Sequence, residues 1–281
     1  LKRDKRIEMK FFLDRIAKEL HSEFGDDLSS HCLVFPSRRA GLFFRKYYSA
    51  LLRKPAWAPS VLTIGDLFRS LSDLRQAESE ELLFELYLSY LSVTQSKENF
   101  DSFYFWGDMI LNDFDDVDKY MAVPRRLFSN VKELKTIDQQ FGDLTDEQID
   151  AIRQFWIRFN PDAMTDAKSG FITVWNVLEK LYTDFRTRLM ESGRAYEGMI
   201  YRSVAENNSW NDRSLFRWKM IHFIGLNALN ECEKRMMLAL KKEGIARFYW
   251  DYDDSYIKIN ELNSAGYFLK DNLSLLGNNM P

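Results

Sequence analysis

Apolar positions near the start of the chain switch between two periods. From Met9 to Phe24 they recur at helical spacing, at Phe12, Ile16, Leu20 and Phe24, and Gly25 is placed to end that helix. Cys32 to Phe35 is an unbroken apolar run of strand length. Pro36-Ser37 interrupts it, and Ser37 is placed to cap a helix reaching about Leu52. Pro55 and Pro59 bracket a loop, and Val61 to Ile64 reads as a second short strand. Thr63 and Asp66 have capping-box spacing for a helix from Leu67 to Leu74.

From about Glu78 the strand period disappears and four amphipathic stripes follow. Leu82, Leu83, Leu86, Tyr87, Tyr90 and Leu91 form the first; Trp106, Met109, Ile110, Phe114, Val117 and Met121 form the second. Ile149, Ile152, Trp156 and Phe159 form the third, introduced by Thr145 and Gln148 at capping-box spacing. Val174, Trp175, Leu178, Leu181, Tyr182, Phe185 and Leu189 form the fourth. Pro124, Gly142, Pro161, Gly170 and Gly193 punctuate the stretch.

Strand chemistry returns at Met220 to Ile224. A helix from Asn230 to Lys242, closed by Gly244, a strand from Ile245 to Tyr252 and a helix from Ser264 to Leu276 complete the chain. This order predicts an α/β fold with a parallel sheet. Residues 1–75 and 216–281 would form that domain discontinuously, and residues 76–215 would be an almost wholly helical insertion. The strands at Val34 and Phe223 are expected to run parallel in one sheet.

Composition supports a folded chain: 46% of the 281 residues are hydrophobic and 15% aromatic, enough for a sizeable core. A net charge of −3 gives no global basic signature, so any nucleic-acid contact must come from a local patch. Cys32 and Cys232 sit beside apolar runs and read as buried thiols, not as a disulfide framework, which points to the cytoplasm. No apolar stretch is long enough to span a bilayer. Leu1 to Arg6 is basic but lacks a signal-peptide core behind it, and Met9 reads as a natural start.

The nucleotide chemistry that often accompanies such a fold is missing. No G-x-x-x-x-G-K-[ST] run is present to cradle phosphates. The strand Ile221 to Ile224 ends in Gly225-Leu226-Asn227, where magnesium-dependent hydrolysis needs an acid. Glu231 and Glu233 are expected to face solvent further along the helix. Asp251, Asp253 and Asp254 followed by Lys258 lack the spacing of a nuclease metal site. His21, His31 and His222 lack metal-ligand spacing, and His222 reads as structural. No catalytic, cofactor-binding or metal-binding residue is therefore expected in this chain.

Several segments, taken in order, resemble the N-terminal helicase-like region of AddB-type DNA repair proteins. They are Leu33-Val-Phe-Pro-Ser-Arg-Arg-Ala-Gly-Leu-Phe-Phe44, Leu62-Thr-Ile-Gly-Asp-Leu-Phe68 and Phe105-Trp-Gly-Asp108. Asp113-Phe-Asp-Asp116 with Asp118-Lys-Tyr120, Ala195-Tyr-Glu-Gly-Met199 and Phe223-Ile-Gly-Leu-Asn-Ala-Leu229 complete the set. Those proteins are inactivated superfamily I helicases followed by a PD-(D/E)XK nuclease. The resemblance implies a RecA-like domain with a 1B-like helical insertion, and a role in processing double-strand DNA ends for recombinational repair. It also implies that the chain is the first part of a longer protein whose nuclease, an exonuclease, lies beyond it. The partners implied are single-stranded or end-frayed DNA and an AddA-type helicase–nuclease subunit, with no membrane.

The resemblance places Cys32 to Tyr48 at helicase motif Ia and Thr63 at motif Ib. The residues themselves agree with an anion-binding role. Ser37 and the amides after it open a helix, and Arg38, Arg39, Arg45, Lys46, Arg53 and Lys54 concentrate positive charge around it. Ser37, Arg38, Arg39, Arg45, Lys46 and Thr63 are the nucleic-acid-binding candidates. The alternatives are a solvated basic face and a scaffold that docks an active helicase subunit without touching DNA. Asp113, Asp115, Asp116 and Asp118 are expected to form a charged outer helix face.

Overall fold

The computed structural model describes residues 11–130, 167–212, 214–252 and 264–280. The third apolar stripe, with Thr145 and Gln148, lies outside the described residues, as do Met9, Asp253, Asp254, Lys258 and the side chains of Trp106, Val174 and Trp175. The chain divides into two compact units, residues 1–71 with 208–281, and residues 72–207.

The first unit opens with α1 (Phe12–Phe24), which Gly25 ends at φ 67°, a left-handed conformation that glycine adopts at no steric cost. Then come β1 (His31–Phe35), α2 (Arg38–Ser49), β2 (Ser60–Thr63) and α3 (Ile64–Ser70). The strands at Met220–Ile224 and Ala246–Tyr249 join β1 and β2 in one four-stranded sheet, parallel throughout. Val34 pairs with Phe223, as expected, and Phe35 pairs with Thr63.

β1 is buried along its whole length, which explains its continuous apolar run. On one face Leu33 and Phe35 pack with Ile16 and Leu20 of α1 and Phe44 and Tyr48 of α2. Each such fully buried side chain stabilises the unit by about 1.5–3 kcal/mol. α2 lies so close to the sheet that a Cβ on Gly41 would sit 2.5 Å from Val61 Cγ1. Burial also pushes the Cys32 thiol up to about 12, against a smaller opposing pull from Arg217, so it stays protonated and unreactive.

The second unit holds β3 (Arg75–Gln76), α4 (Ser79–Thr94), α5 (Phe100–Lys119), α6 (Pro124–Asn130), α7 (Ala167–Glu191), β4 (Arg194–Ala195) and α8 (Glu197–Asn207). It is not wholly helical. β3 and β4 form a parallel two-residue ladder, extended by Arg75 N–H to Gly193 O and Ala77 N–H to Ala195 O. Two residues are too few to show alternation, so no strand pattern is visible there. The remainder of the first unit comprises β5 (Met220–Ile224), α9 (Glu231–Lys242), β6 (Ala246–Tyr249) and α10 (Ser264–Leu276). Among the described residues no helix is long and apolar enough to cross a membrane.

The aspartate run after Asn112 forms an outer face only in part: Asp116 is exposed, and Asp113 and Asp115 are half-buried. Asp118 is 0% exposed. It accepts hydrogen bonds from the hydroxyls of Tyr182 and Tyr196 and ion-pairs with Arg186 and, at 3.3 Å, with Arg202. Asp115 accepts from the Gly198 amide and pairs with Lys119 at 2.7 Å. A side chain at Gly198 would collide with the Asp115 backbone, so only glycine lets α8 approach α5 this closely. Apart from Lys119 on α5 itself, these partners come from α7, from Tyr196 just after β4 and from α8, distant in sequence, which is why helical spacing alone misassigned Asp115 and Asp118.

Candidate nucleic-acid interface

The order β2-β1-β5-β6 places a change of direction between β1 and β5. From β1 the chain crosses through α2 to β2 on one side; from β5 it crosses through α9 to β6 on the other. Right-handed crossovers put α2 and α9 on opposite faces, so the loops after β1 and β5 diverge and leave a crevice at the carboxyl edge. Open parallel sheets bind ligands at such a point. Ser37 and Arg38 flank it from one strand, and Gly225 to Asn230 from the other. Gly225 turns there at φ 69°, and a Cβ on it would lie 3.3 Å from Phe12 of α1.

Ser37 is extended and caps α2, its hydroxyl accepting from the Ala40 amide at 3.3 Å. Thr63 caps α3 in a full capping box with Asp66: the Asp66 amide donates to Thr63 Oγ1, and the Thr63 amide donates to Asp66 Oδ2. Arg38 joins the two caps through Asp66 Oδ1 at 3.4 Å, while Arg69 holds the same oxygen at 2.5 Å. Burial would raise the Asp66 carboxyl, but hydrogen bonds from Thr63, Arg69 and Arg38 prevail and hold it well below the usual carboxylate range.

Ser37, Arg38 and Thr63 therefore meet at one edge. Arg39, Arg45 and Lys46 continue down the exposed side of α2, whose Gly41, Phe44 and Tyr48 face inward. Arg45 lies roughly 10 Å along the helix from Arg38, at 1.5 Å per residue. Arg38 is 83% exposed, so its pairing with Asp66 contributes at most about 1 kcal/mol and can be exchanged. Arg39 sits over the Phe43 ring at 5.8 Å.

Two features sharpen this patch beyond its cations. Residues 28–65 contain six cations and no acid. Only Arg38 of these six has an ion pair among the described residues. The second feature is the first turn of the helices in this unit: α10, like α2, has no acid there, but three others do. α1 carries Asp14, α3 carries Asp66, and α9 carries Glu231 and Glu233. Those acids suit the positive end of a helix dipole. α2 instead begins with two arginines and no acid, an arrangement disfavoured by about 0.3–1 kcal/mol per charge unless an anion comes from outside. Glu233 does not face solvent as expected: it is buried and closes a capping box with Asn230.

Gly225 to Asn227 follow β5 as expected, and the Asn227 carbonyl accepts from buried Asn272 at 2.5 Å. Asp251 follows β6; burial raises its carboxyl, with Arg15 opposing. His222 lies in β5, fully buried beside His31, with a ring-to-ring hydrogen bond of 2.9 Å. Among the described residues no group of three or more His, Cys, Asp or Glu side chains is arranged to hold a metal ion. No protein-family model matches this chain, and no curated protein matches it.

Proposed function

We propose that this chain is a non-catalytic, DNA-engaging module of a helicase–nuclease that processes double-strand DNA ends in recombinational repair. In this reading the sheet unit is a RecA-like core and the second unit its helical insertion, as in the AddB-type proteins the sequence resembles. The work is positional and cytoplasmic. The phosphate backbone of a single strand lies against the start of α2, and an AddA-type partner supplies ATP-driven movement.

The observation that carries the reading is the arginine-led start of α2 at the diverging crevice of the sheet, within a 38-residue acid-free run, 28–65, of a chain whose net charge is −3. Ser37 and the first-turn amides direct hydrogen-bond donors outward, Arg38 and Arg39 supply charge, and Arg45 and Lys46 extend the track by about two helical turns. Such contacts are independent of base sequence.

A second reading is a docking scaffold. It is favoured by Leu42 and Phe43, which are exposed between the two cation pairs. Salt separates the two. Fluorescence anisotropy of a short labelled thymidine oligomer with the purified chain should show affinity falling steeply with salt. Replacing Arg38 and Arg39 by Ala should flatten that dependence by up to about one unit of slope per lost phosphate contact. Unchanged affinity and slope in the folded variant would leave the scaffold as the better account.

A further inference from the structure

The second unit carries an exposed surface of opposite charge. α4 and α5 form a hairpin closed by hydrogen bonds from Tyr87 and Tyr90 to Glu98. Beside that closure lies a chain of rings. Phe84 and Phe100 meet edge to face at 5.9 Å, and Phe100 and Tyr104 at 6.1 Å; Tyr87 backs Phe100 at 5.3 Å. The core side of the cluster is finished by buried Phe103. Its outer members are half exposed: Phe84 is 51% exposed and Tyr104 50%.

Carboxylates surround these rings. Glu80 lies one turn before Phe84, and Asp101 and Asp108 lie one turn on either side of Tyr104. All three are exposed. Residues 77–118 hold eleven acids and one base, Lys97. Part of that charge is consumed internally, by Arg186 and Arg202 at Asp118, Lys119 at Asp115, and Arg194 at Glu81 and Glu85. The three acids beside the rings lie outside those networks.

A ring face with a carboxylate one turn away is a receptor for a cation on an apolar stem: the ring attracts the charge and the carboxylate takes its hydrogens. The same acids repel phosphate, so nucleic acid does not fit. Two antiparallel helices with exposed rings between them match the groove mode of helix recognition. We infer that the aromatic and acidic face of α4 and α5 is a docking surface for a cationic amphipathic helix of a partner protein. The inference does not depend on DNA binding by the sheet unit.

The test is a calorimetric titration of the chain with a synthetic amphipathic helix of lysine and leucine, beside a glutamate and leucine counterpart. The lysine peptide should bind saturably and the glutamate peptide should not. Phe84→Ser with Tyr104→Ser should weaken binding by about tenfold or more, as loss of central aromatic anchors does. Glu80→Lys with Asp101→Lys and Asp108→Lys, which keeps the rings, should also abolish it. Both variants change exposed positions, and an unaltered thermal transition would establish that each is folded. Absence of saturable binding, equal binding of both peptides, or full binding by either folded variant overturns the proposal. Self-association of the chain that the Phe84 and Tyr104 changes remove would overturn it too, by making a second copy the occupant.

Discussion

Residues 28–65 and residues 77–118 are neighbouring stretches of similar length with opposite charge. The first has six cations and no acid, the second eleven acids and one base. They use charge differently. In the acidic stretch Asp118 is buried and held by cations and hydroxyls from beyond its own helix, and Asp115 is half-buried between Lys119 of its own helix and the Gly198 amide. In the basic stretch the cations stay outside, and only Arg38 has an ion pair among the described residues. Buried charge must be matched within the fold, because an unmatched ion costs several kcal/mol. Exposed charge of one sign can persist unmatched and remain available to a partner. The acidic stretch is therefore partly architecture and the basic stretch mostly surface, and mutation should separate them sharply.

The largest effect should come from Asp118→Ala. It leaves the half-buried Arg186 and Arg202 without their shared carboxylate and two buried tyrosine hydroxyls without an acceptor. Unfolding of the helical unit by urea should shift by about 3–5 kcal/mol, while Asp101→Ala, at an exposed position of the same helix, costs much less. Equal effects at the two would mean that Asp118 is no more structural than an exposed acid of its own helix.

A second prediction concerns a pair of buried histidines in the sheet core. His31 and His222 sit on adjacent strands, their rings stacked 5.2 Å apart and flanked by Phe24. Burial, reinforced by His31 and Arg247, depresses His222 to about 3; burial and Arg247 also lower His31, against Asp27 and Glu23, with Lys219 adding a smaller pull in the same direction as Arg247. Tyr249 faces the far nitrogen of His222 at 3.4 Å. His222 stays neutral in the native state down to about 3 and His31 is protonated less readily than a free imidazole, while the unfolded chain protonates both near 6.5. The unfolded state therefore binds more protons below that pH. Stability should be complete above about 6.5 and fall towards about 3, at up to roughly 1.4 kcal/mol per pH unit for each proton. Thermal melts across that range test it, and His222→Phe should remove part of the slope.

A smaller effect is expected at the caps. Thr63→Ala removes the acceptor for the Asp66 amide and one donor to its carboxylate, and should cost about 1 kcal/mol in a urea melt of the sheet unit. Smallest in stability should be Arg38→Ala with Arg39→Ala. Two exposed cations are removed from the positive end of a helix, so any loss of stability should stay below about 0.5 kcal/mol, and relief of the repulsion acts in the opposite direction. A loss of several kcal/mol would make these arginines structural and erase the contrast between the two stretches.

Much of this could be read from the sequence because it depends on local period. α1, α2, β5 and α10 stand where apolar spacing, Ser37 and Gly25 put them, and the parallel pairing of Val34 with Phe223 followed from the alternation of strand and helix. What could not be read was pairing at long range. The partners of Asp118 lie 64 to 84 residues away, and His31 meets His222 across 191. Within its own window, Asp113 to Asp118 is indistinguishable from a solvated acidic face. For the candidate interface, Ser37, Arg38 and Thr63 were visible as caps and cations, but their common edge and the Asp66 bridge appear only once β1 and β2 are side by side.

The central claim is that the basic stretch, and not the acidic one, is the nucleic-acid surface. Hydrogen–deuterium exchange of the chain with and without a short thymidine oligomer tests it directly. The account predicts slowed exchange at the amides that open α2, from Arg38 to Leu42, reversed by salt, and no change in α4 and α5. Protection confined to α4 and α5, or absent from the start of α2 under conditions where the oligomer is bound, would contradict it.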